Sequence, residues 1–450
     1  MRMPNSTITK RMSIVALTWP IFIETALRMG LSTADIFMLS AYSDKAVAAV
    51  GLITQVMFLL IIMSMMVSTG AGILISQYNG AEKPARASEV SVVAIYMTLA
   101  LGVFLGAVMY FGADLFLSWF ELEPAVSQFG FDYLVVTGSC ALSLAMGVTL
   151  STILRANGYS RSPMVVNLIA GGINIIGNYF ALFGPFGLPI YGVTGVAIAT
   201  VFSQVFSAAV LGWVIYRKGI HVPLHRVAQI PKHMYFRVFR IGALNAGEML
   251  SYNLAQMTII YFISQMGTAS LTAYTYAQNI GRLTFTFSLA LGQGTQIQTG
   301  YYVGKSWLNE ISVRVQRYFF IGFAVSLTIV LLFVWQRFNI AQLFTDNAEI
   351  VELTALLLVG SVFLETGRVF NLVFISGLKG AGDVAYPVKV GLICMWGVGV
   401  GLAWFLGLHL GWGVIGAWLA IGADEWVRGL IMTKRWRSGE WRKFAFTGLS

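Results

Sequence analysis

Apolar residues in this chain run in long stretches separated by short polar breaks. A helix crossing the hydrocarbon of a bilayer needs about 20 residues. Reading between the breaks predicts twelve such helices, near 13–39, 46–78, 89–112, 129–154, 163–184, 190–216, 236–265, 270–303, 316–336, 349–378, 387–408 and 411–433. Several of them exceed 25 residues, so tilt or kinks are expected. A membrane β-barrel shows short segments of alternating polarity instead. The pattern predicts an all-α polytopic membrane protein.

Composition sharpens this. The chain has 450 residues, of which 57% are hydrophobic and 11% charged, with a mean hydropathy of +0.75. A soluble domain carries roughly 25% charged residues, so a soluble multi-domain enzyme and a disordered chain are both excluded. Recurrence of the apolar runs along the whole length argues against a secreted protein with one cleaved signal. Cys140 and Cys394 both lie inside apolar runs, which leaves no disulfide framework and no thiolate metal cluster.

The net charge of +10 is spread over alternate loops and forms no single patch for nucleic acid. The predicted N-terminus, every second loop and the C-terminal tail together hold 23 of the 29 basic residues, while the opposite loops hold only Lys45 and Arg337. Basic residues favour the cytoplasmic face. Both termini of a multi-pass membrane protein are therefore expected in the cytoplasm, with the basic side in contact with anionic lipid.

Self-comparison reveals an internal repeat. At an offset of 224 residues, 46–55 falls on 270–279, Gly70 on Gly294, Gly80 on Gly304, Phe120 on Phe344, and 154–163 on 378–387. After a three-residue deletion, Gly192-Val193-Thr194-Gly195 matches Gly413-Val414-Ile415-Gly416. The expected domains are an N-terminal lobe of six helices (1–218), a cytoplasmic linker (219–235) and a C-terminal lobe of six helices (236–450). Six is even, so both lobes insert with the same orientation, the parallel repeat of alternating-access transporters.

Two motifs mislead. His221 and His225 have the spacing of a metal pair but no third ligand follows. Gly304-Lys305-Ser306 resembles the end of a phosphate-binding loop, but the glycine required five residues earlier is Thr299. No protease or ATP-driven pump motif stands out, and no enzyme activity or cofactor is expected.

Ionisable residues inside spans are costly and are functional candidates. Glu24 with Arg28, Glu365 with Arg368, and Asp424 and Glu425 with Arg428 stand three or four residues apart and can neutralise each other on one helix face. The plain reading of such pairs is that they hold helices in register. Glu248 has no basic residue within four positions, and Arg282 on the next helix is its candidate partner. Glu24 and Glu248 are repeat equivalents, which makes both candidates for a substrate cavity or a second ion site, along with Glu365 and Arg368.

Asp35 differs. No basic residue lies between Arg28 and Lys45, and its repeat equivalent is Ile259, so the scaffold's symmetry does not require an acid there. Pro20 removes one backbone hydrogen bond and Gly30 loosens the helix further, so the first helix can bend between Pro20 and Asp35. Asn174 and Asn178 are one turn apart on the fifth helix, with Asn167 roughly in line. Buried amides need partners, and ordinary helix–helix bonding competes here with a cluster that includes Asp35.

These residues resemble the multidrug and toxic compound extrusion (MATE) family, bacterial type. The likeness covers nearly the whole chain: Pro20 with Asp35, Ala48-Ala49-Val50-Gly51, the run from Gly72 to Ala81, Leu154-Arg155-Ala156-Asn157-Gly158, Asn174 with Asn178, the run from Gly192 to Thr200, and Leu378-Lys379-Gly380-Ala381-Gly382-Asp383. The resemblance implies a monomeric antiporter of the bacterial inner membrane that exports small organic, often cationic and aromatic compounds through a cavity open to one side at a time. It implies ion coupling at Asp35, with a polar network of Asn174, Asn178 and Thr200. A proton is the expected coupling ion and sodium the alternative. Some relatives have an aspartate where this chain has Asn178. Sodium-linked relatives carry acids in helices seven and ten, and Glu248 and Glu365 lie in those helices about one turn from the matching places.

A lipid-linked oligosaccharide flippase would share the architecture, and a membrane scaffold or receptor is a reading from another class. The orientation is testable: Ala125→Cys should react with an impermeant maleimide from outside the cell, and Ala228→Cys should be protected. The reverse pattern refutes the topology.

Overall fold

The computed structural model describes residues 11–119 and 122–445. Arg2, Lys10 and Phe120 of the sequence reading lie outside the described residues. Among those residues, twelve long helical rods follow the apolar runs: α1 (Ile14–Tyr42), α2 (Asp44–Gly80), α3 (Pro84–Ser118), α4 (Pro124–Ser139 and Ala141–Ala156), α5 (Arg161–Phe183), α6 (Gly192–Arg217), α7 (Lys232–Ser264), α8 (Thr268–Gly304), α9 (Leu308–Trp335), α10 (Ala348–Ala381), α11 (Ala385–His409) and α12 (Gly413–Ser438). Eight are long and apolar enough to cross a membrane by length and composition, and the two parts of α4 make a ninth. The others, α7, α8 and α12, carry more polar and charged side chains.

Local chemistry sets the ends of the rods. Pro84 and Pro124 occupy the first turns of α3 and α4, where a missing N–H costs nothing. Asn347 caps α10 by accepting from the Glu349 N–H at 3.0 Å. The left-handed glycines Gly184, Gly382 and Gly439 close α5, α10 and α12, a conformation that glycine adopts without a Cβ penalty.

Two rods are irregular at places the apolar pattern does not mark. α4 bends by 48° between Ser139 and Ala141. The Ser139 hydroxyl donates to the Val136 carbonyl at 3.1 Å and the Ser143 hydroxyl to the Cys140 carbonyl at 2.7 Å, which compete with the helix's own ladder. α11 is π-helical over Met395–Val400 and Ala403–His409, in a stretch interrupted by Gly397, Gly399, Gly401 and Gly407.

The chain divides into two compact units. The first contains Ile23–Ile75 and Lys83–Ala246; the second contains Met12–Phe22, Ser76–Glu82 and the residues from Gly247 onward. The opening turns of α1 thus belong with the later helices, and the opening turns of α7 with the earlier ones. Glycines permit this. In the first unit, a Cβ on Gly70 would lie 2.3 Å from the Val238 carbonyl oxygen, and one on Gly242 would lie 1.8 Å from that of Met66. In the second, a Cβ on Gly294 would lie 2.5 Å from the Thr18 hydroxyl. Positions 70 and 294 are repeat mates, as are 18 and 242, so the same crossing is built twice.

The second unit has a reciprocal contact as well. A Cβ on Gly80 would sit 1.9 Å from the Tyr301 carbonyl oxygen, and one on Gly304 would sit 2.0 Å from that of Gln77. Gln77 also donates to the Gly380 carbonyl at 2.9 Å, and Gln298 to the Met12 carbonyl at 2.7 Å. Since the neighbour is backbone, it cannot rotate away. Gly80→Ala should lower stability by at least ~1–3 kcal/mol, the usual cost of overpacking, whereas Gly30→Ala, where a Cβ meets nothing within 4 Å, should cost far less. Thermal unfolding of the two variants in detergent checks this, and equal midpoints would refute it.

Candidate functional site

α1, α5 and α6 meet in the first unit at small residues. A Cβ on Gly171 would fall 2.2 Å from a methyl of Leu31, and one on Gly177 would fall 2.7 Å from Ala199 Cβ. Leu39, Ala181, Leu182, Val193 and Val196 form one buried cluster that fixes the same three helices a turn or more away. With the backbones this close, short polar side chains reach across. Asn178 Nδ2 donates to Asp35 Oδ1 at 2.9 Å. Its distance to Asn174 Oδ1 is 3.5 Å, at the limit of a hydrogen bond. Asn174 Nδ2 donates to the Thr200 hydroxyl at 3.2 Å, which itself donates to the Val196 carbonyl at 2.9 Å.

The structure therefore brings Asp35, Asn174, Asn178 and Thr200 into one chain. Asn178 is 2% exposed and its Oδ1 has no partner among the described residues. Tyr133 of α4 lies beside Thr200 and near Asp35. Sequence reasoning missed it, because nothing in its neighbourhood on α4 sets it apart. Pro20 lies inside α1, which stays helical through it, three residues before the point where α1 passes from one unit to the other.

Asn167 joins a different group. It donates to Glu24 Oε1 at 2.8 Å and accepts from the Ser207 hydroxyl at 2.7 Å. Glu24, 2% exposed, also receives Arg28 at 2.6 Å and Arg155 at 2.5 Å. Its carboxylate thus faces two guanidinium groups and an amide.

Glu248 is held by Lys379 of α10, and not by Arg282, the partner suggested by the sequence; Arg282 is exposed. The sequence reading looked along one helix and its neighbour, whereas this cation comes from three helices further on. A signal was available. Glu24 and Glu248 are repeat mates, and so are Arg155 and Lys379. Both ion pairs consequently span 131 residues. Each ties the first helix of a half to its fourth.

The second unit buries a larger charge network between α10 and α12. Arg368 meets Glu365 at 2.5 Å on one side and Glu425 at 3.9 Å on the other. Arg428 holds Asp424 at 2.6 Å and Glu425 at 3.1 Å. Asn371, absent from the sequence reading, donates to Glu425 at 2.7 Å. These five charged residues are at most 5% exposed, and Glu365 Oε2 has no partner among the described residues.

A bundle of long apolar helices in two repeated units, with carboxylates buried inside each, is the build of a polytopic membrane transporter. Comparison with known proteins identifies the family. The MatE family model matches the chain twice, over residues 20–180 and 246–405, so the chain belongs to the MatE family, the multidrug and toxic compound extrusion transporters. It is 38% identical over 435 residues to the uncharacterised transporter YisQ of Bacillus subtilis (strain 168), covering 96% of this chain and 95% of that one. It is 24% identical over 441 residues to the probable multidrug resistance protein NorM of Thermotoga maritima, covering 97% and 94%. A crystal structure of MATE in the bent conformation shares the fold with a TM-score of 0.88 at 20% identity, covering 100% of both chains.

Removing one partner of a buried ion pair strands the other charge, at a cost of about 3–5 kcal/mol. Lys379→Met should therefore lower the unfolding midpoint strongly, and adding Glu248→Leu should restore much of the loss. If the double variant is no more stable than Lys379→Met, the pair does not act as a unit.

Proposed function

We propose that this protein is a secondary active multidrug efflux antiporter, exporting organic cations in exchange for protons, with Asp35 as the coupling carboxyl. The observation that carries the reading is the bond from Asn178 to Asp35 at 2.9 Å. An amide can donate through its nitrogen and accept through its oxygen. Asn178 Nδ2 meets the charged carboxylate as a donor. Once Asp35 takes up a proton its O–H becomes a donor, and the unpartnered Asn178 Oδ1 is the acceptor that a rotated amide offers. The exchange then passes to Asn174 and Thr200 along the same chain.

α1 carries the response. Pro20 leaves the Ala16 carbonyl without its helical N–H, and Gly30 has open space where a side chain would be. A helix weakened at two places on either side of a unit boundary suits a change of course as Asp35 changes charge. Relatives named multidrug resistance proteins, from Thermotoga maritima and Photorhabdus laumondii, support the cargo class. The distribution of basic residues supports an orientation with both termini cytoplasmic, and the bacterial relatives support placement in the inner membrane.

Dye efflux from proteoliposomes, with pH and sodium gradients imposed separately, tests this. Wild-type efflux should follow the pH gradient without sodium. Asp35→Asn should insert normally and lose gradient-driven efflux, since an amide cannot take up and release a proton as a carboxyl does. Robust efflux by Asp35→Asn, or an absolute need for sodium in the wild type, refutes the proposal.

A further inference from the structure

The two repeats differ in charge at one matched loop. Residues 154–163 align with 378–387, which sets Tyr159 against Asp383. In the second unit, Asp383 is 1% exposed and accepts from Arg435 Nε at 2.9 Å. Arg435 also lies 4.5 Å from the centroid of the Tyr386 ring. There the loop's own carboxylate neutralises the arginine at the end of α12.

In the first unit the carboxylate is replaced by a ring, and two cations gather on it. The Arg11 guanidinium lies 4.3 Å from the Tyr159 centroid and the Lys218 ammonium 5.3 Å. A ring face attracts a cation but cannot cancel two like charges. Among the described residues no carboxylate pairs with Arg11, Arg161, Arg217 or Lys218, and residues 1–10 contain no acid. Arg11 Nε is buried without a hydrogen-bond partner among the described residues. α5 also begins here with no side-chain cap, and Ser160 at its cap position is 1% exposed with its hydroxyl unpartnered among the described residues. The positive end of that helix dipole adds to the same field.

The depth of the cluster indicates the source of the missing anion. Trp213 and Tyr216, in the last turns of α6, are 58% and 80% exposed. Arg217 lies 5.3 Å over the Trp213 ring. Exposed tryptophan and tyrosine at the end of an apolar helix mark the membrane–water boundary, where lipid phosphates lie. Arg161, Arg217 and Lys218 are exposed to it.

We propose that Arg11, Tyr159 and Lys218, with Arg161 and Arg217 beside them, form a binding site for the phosphate group of an anionic phospholipid. The lipid supplies to the first unit the negative charge that Asp383 supplies to the second. The site is a consequence of broken symmetry: the duplicated scaffold keeps the basic end in both halves and keeps the internal counter-charge in one.

Native mass spectrometry of the full chain in detergent, titrated with phosphatidylglycerol or phosphatidylcholine, tests the proposal. Wild type should retain one phosphatidylglycerol under conditions that strip phosphatidylcholine. A basic residue near an anionic surface is worth enough for about a fivefold change in binding, so Lys218→Gln, at an exposed position, should weaken retention by about that factor. Tyr159→Asp, which installs the second unit's counter-charge, should abolish it, and Tyr159→Phe should preserve it. Equal retention by wild type and Lys218→Gln overturns the proposal. So does displacement of the lipid by millimolar inorganic phosphate, which would make this a site for the free ion.

Discussion

A carboxylate among apolar helices is costly unless a cation or several donors cancel its charge, and both halves of this chain meet the demand with the same tie. Glu24 with Arg155 and Glu248 with Lys379 join the first and fourth helices of each repeat. The acids are fixed by the cations and the cations by motifs at the ends of α4 and α10, so helix register follows from charge balance. Against this background Asp35 stands out. Among the described residues it is met by one amide donor, at 2.9 Å, and it lies on a helix that the repeat does not oblige to carry an acid there. The paired acids are each neutralised by a cation, whereas Asp35 is met by an amide alone among the described residues.

Much of this was legible in the sequence. Long apolar runs leave little choice about where the rods lie, because an exposed backbone group has no partner in hydrocarbon. The four-residue spacing of Asn174 and Asn178 placed both amides on one face, and that face meets Asp35. What escaped were features decided by contacts between distant segments or by competition within a helix. Asn167 is in line with Asn174 on the helix but falls against Glu24, because α1 passes it one level lower. Lys379 looked like a loop residue, yet α10 runs to Ala381 and carries the lysine inward to Glu248. The break in α4 depends on hydroxyls of Ser139 and Ser143 choosing carbonyls, and hydrophobic periodicity does not record such choices.

The glycines show how little side-chain volume the design tolerates where helices cross. Gly70, Gly242, Gly80 and Gly304 each face a backbone carbonyl at a distance that excludes a Cβ. Without a hydrophobic force between helices in lipid, close approach and van der Waals contact drive association. Small residues at the crossings and ion pairs between helices thus divide the labour, one setting distance and the other setting height.

The exchange of opening turns between the units bears on how the protein is made. The first unit includes α7 as far as Ala246, and the second includes Met12–Phe22. A ribosome releasing the chain in order delivers six helices whose packing is still incomplete, and α2 waits with Gly70 and Met66 uncovered until α7 emerges. The first half is thus not a finished object when its sixth helix has been made, because its unit still lacks the opening turns of α7. Completion of the first unit therefore waits on a segment of the second repeat, so the two repeats are coupled in biogenesis as well as in sequence.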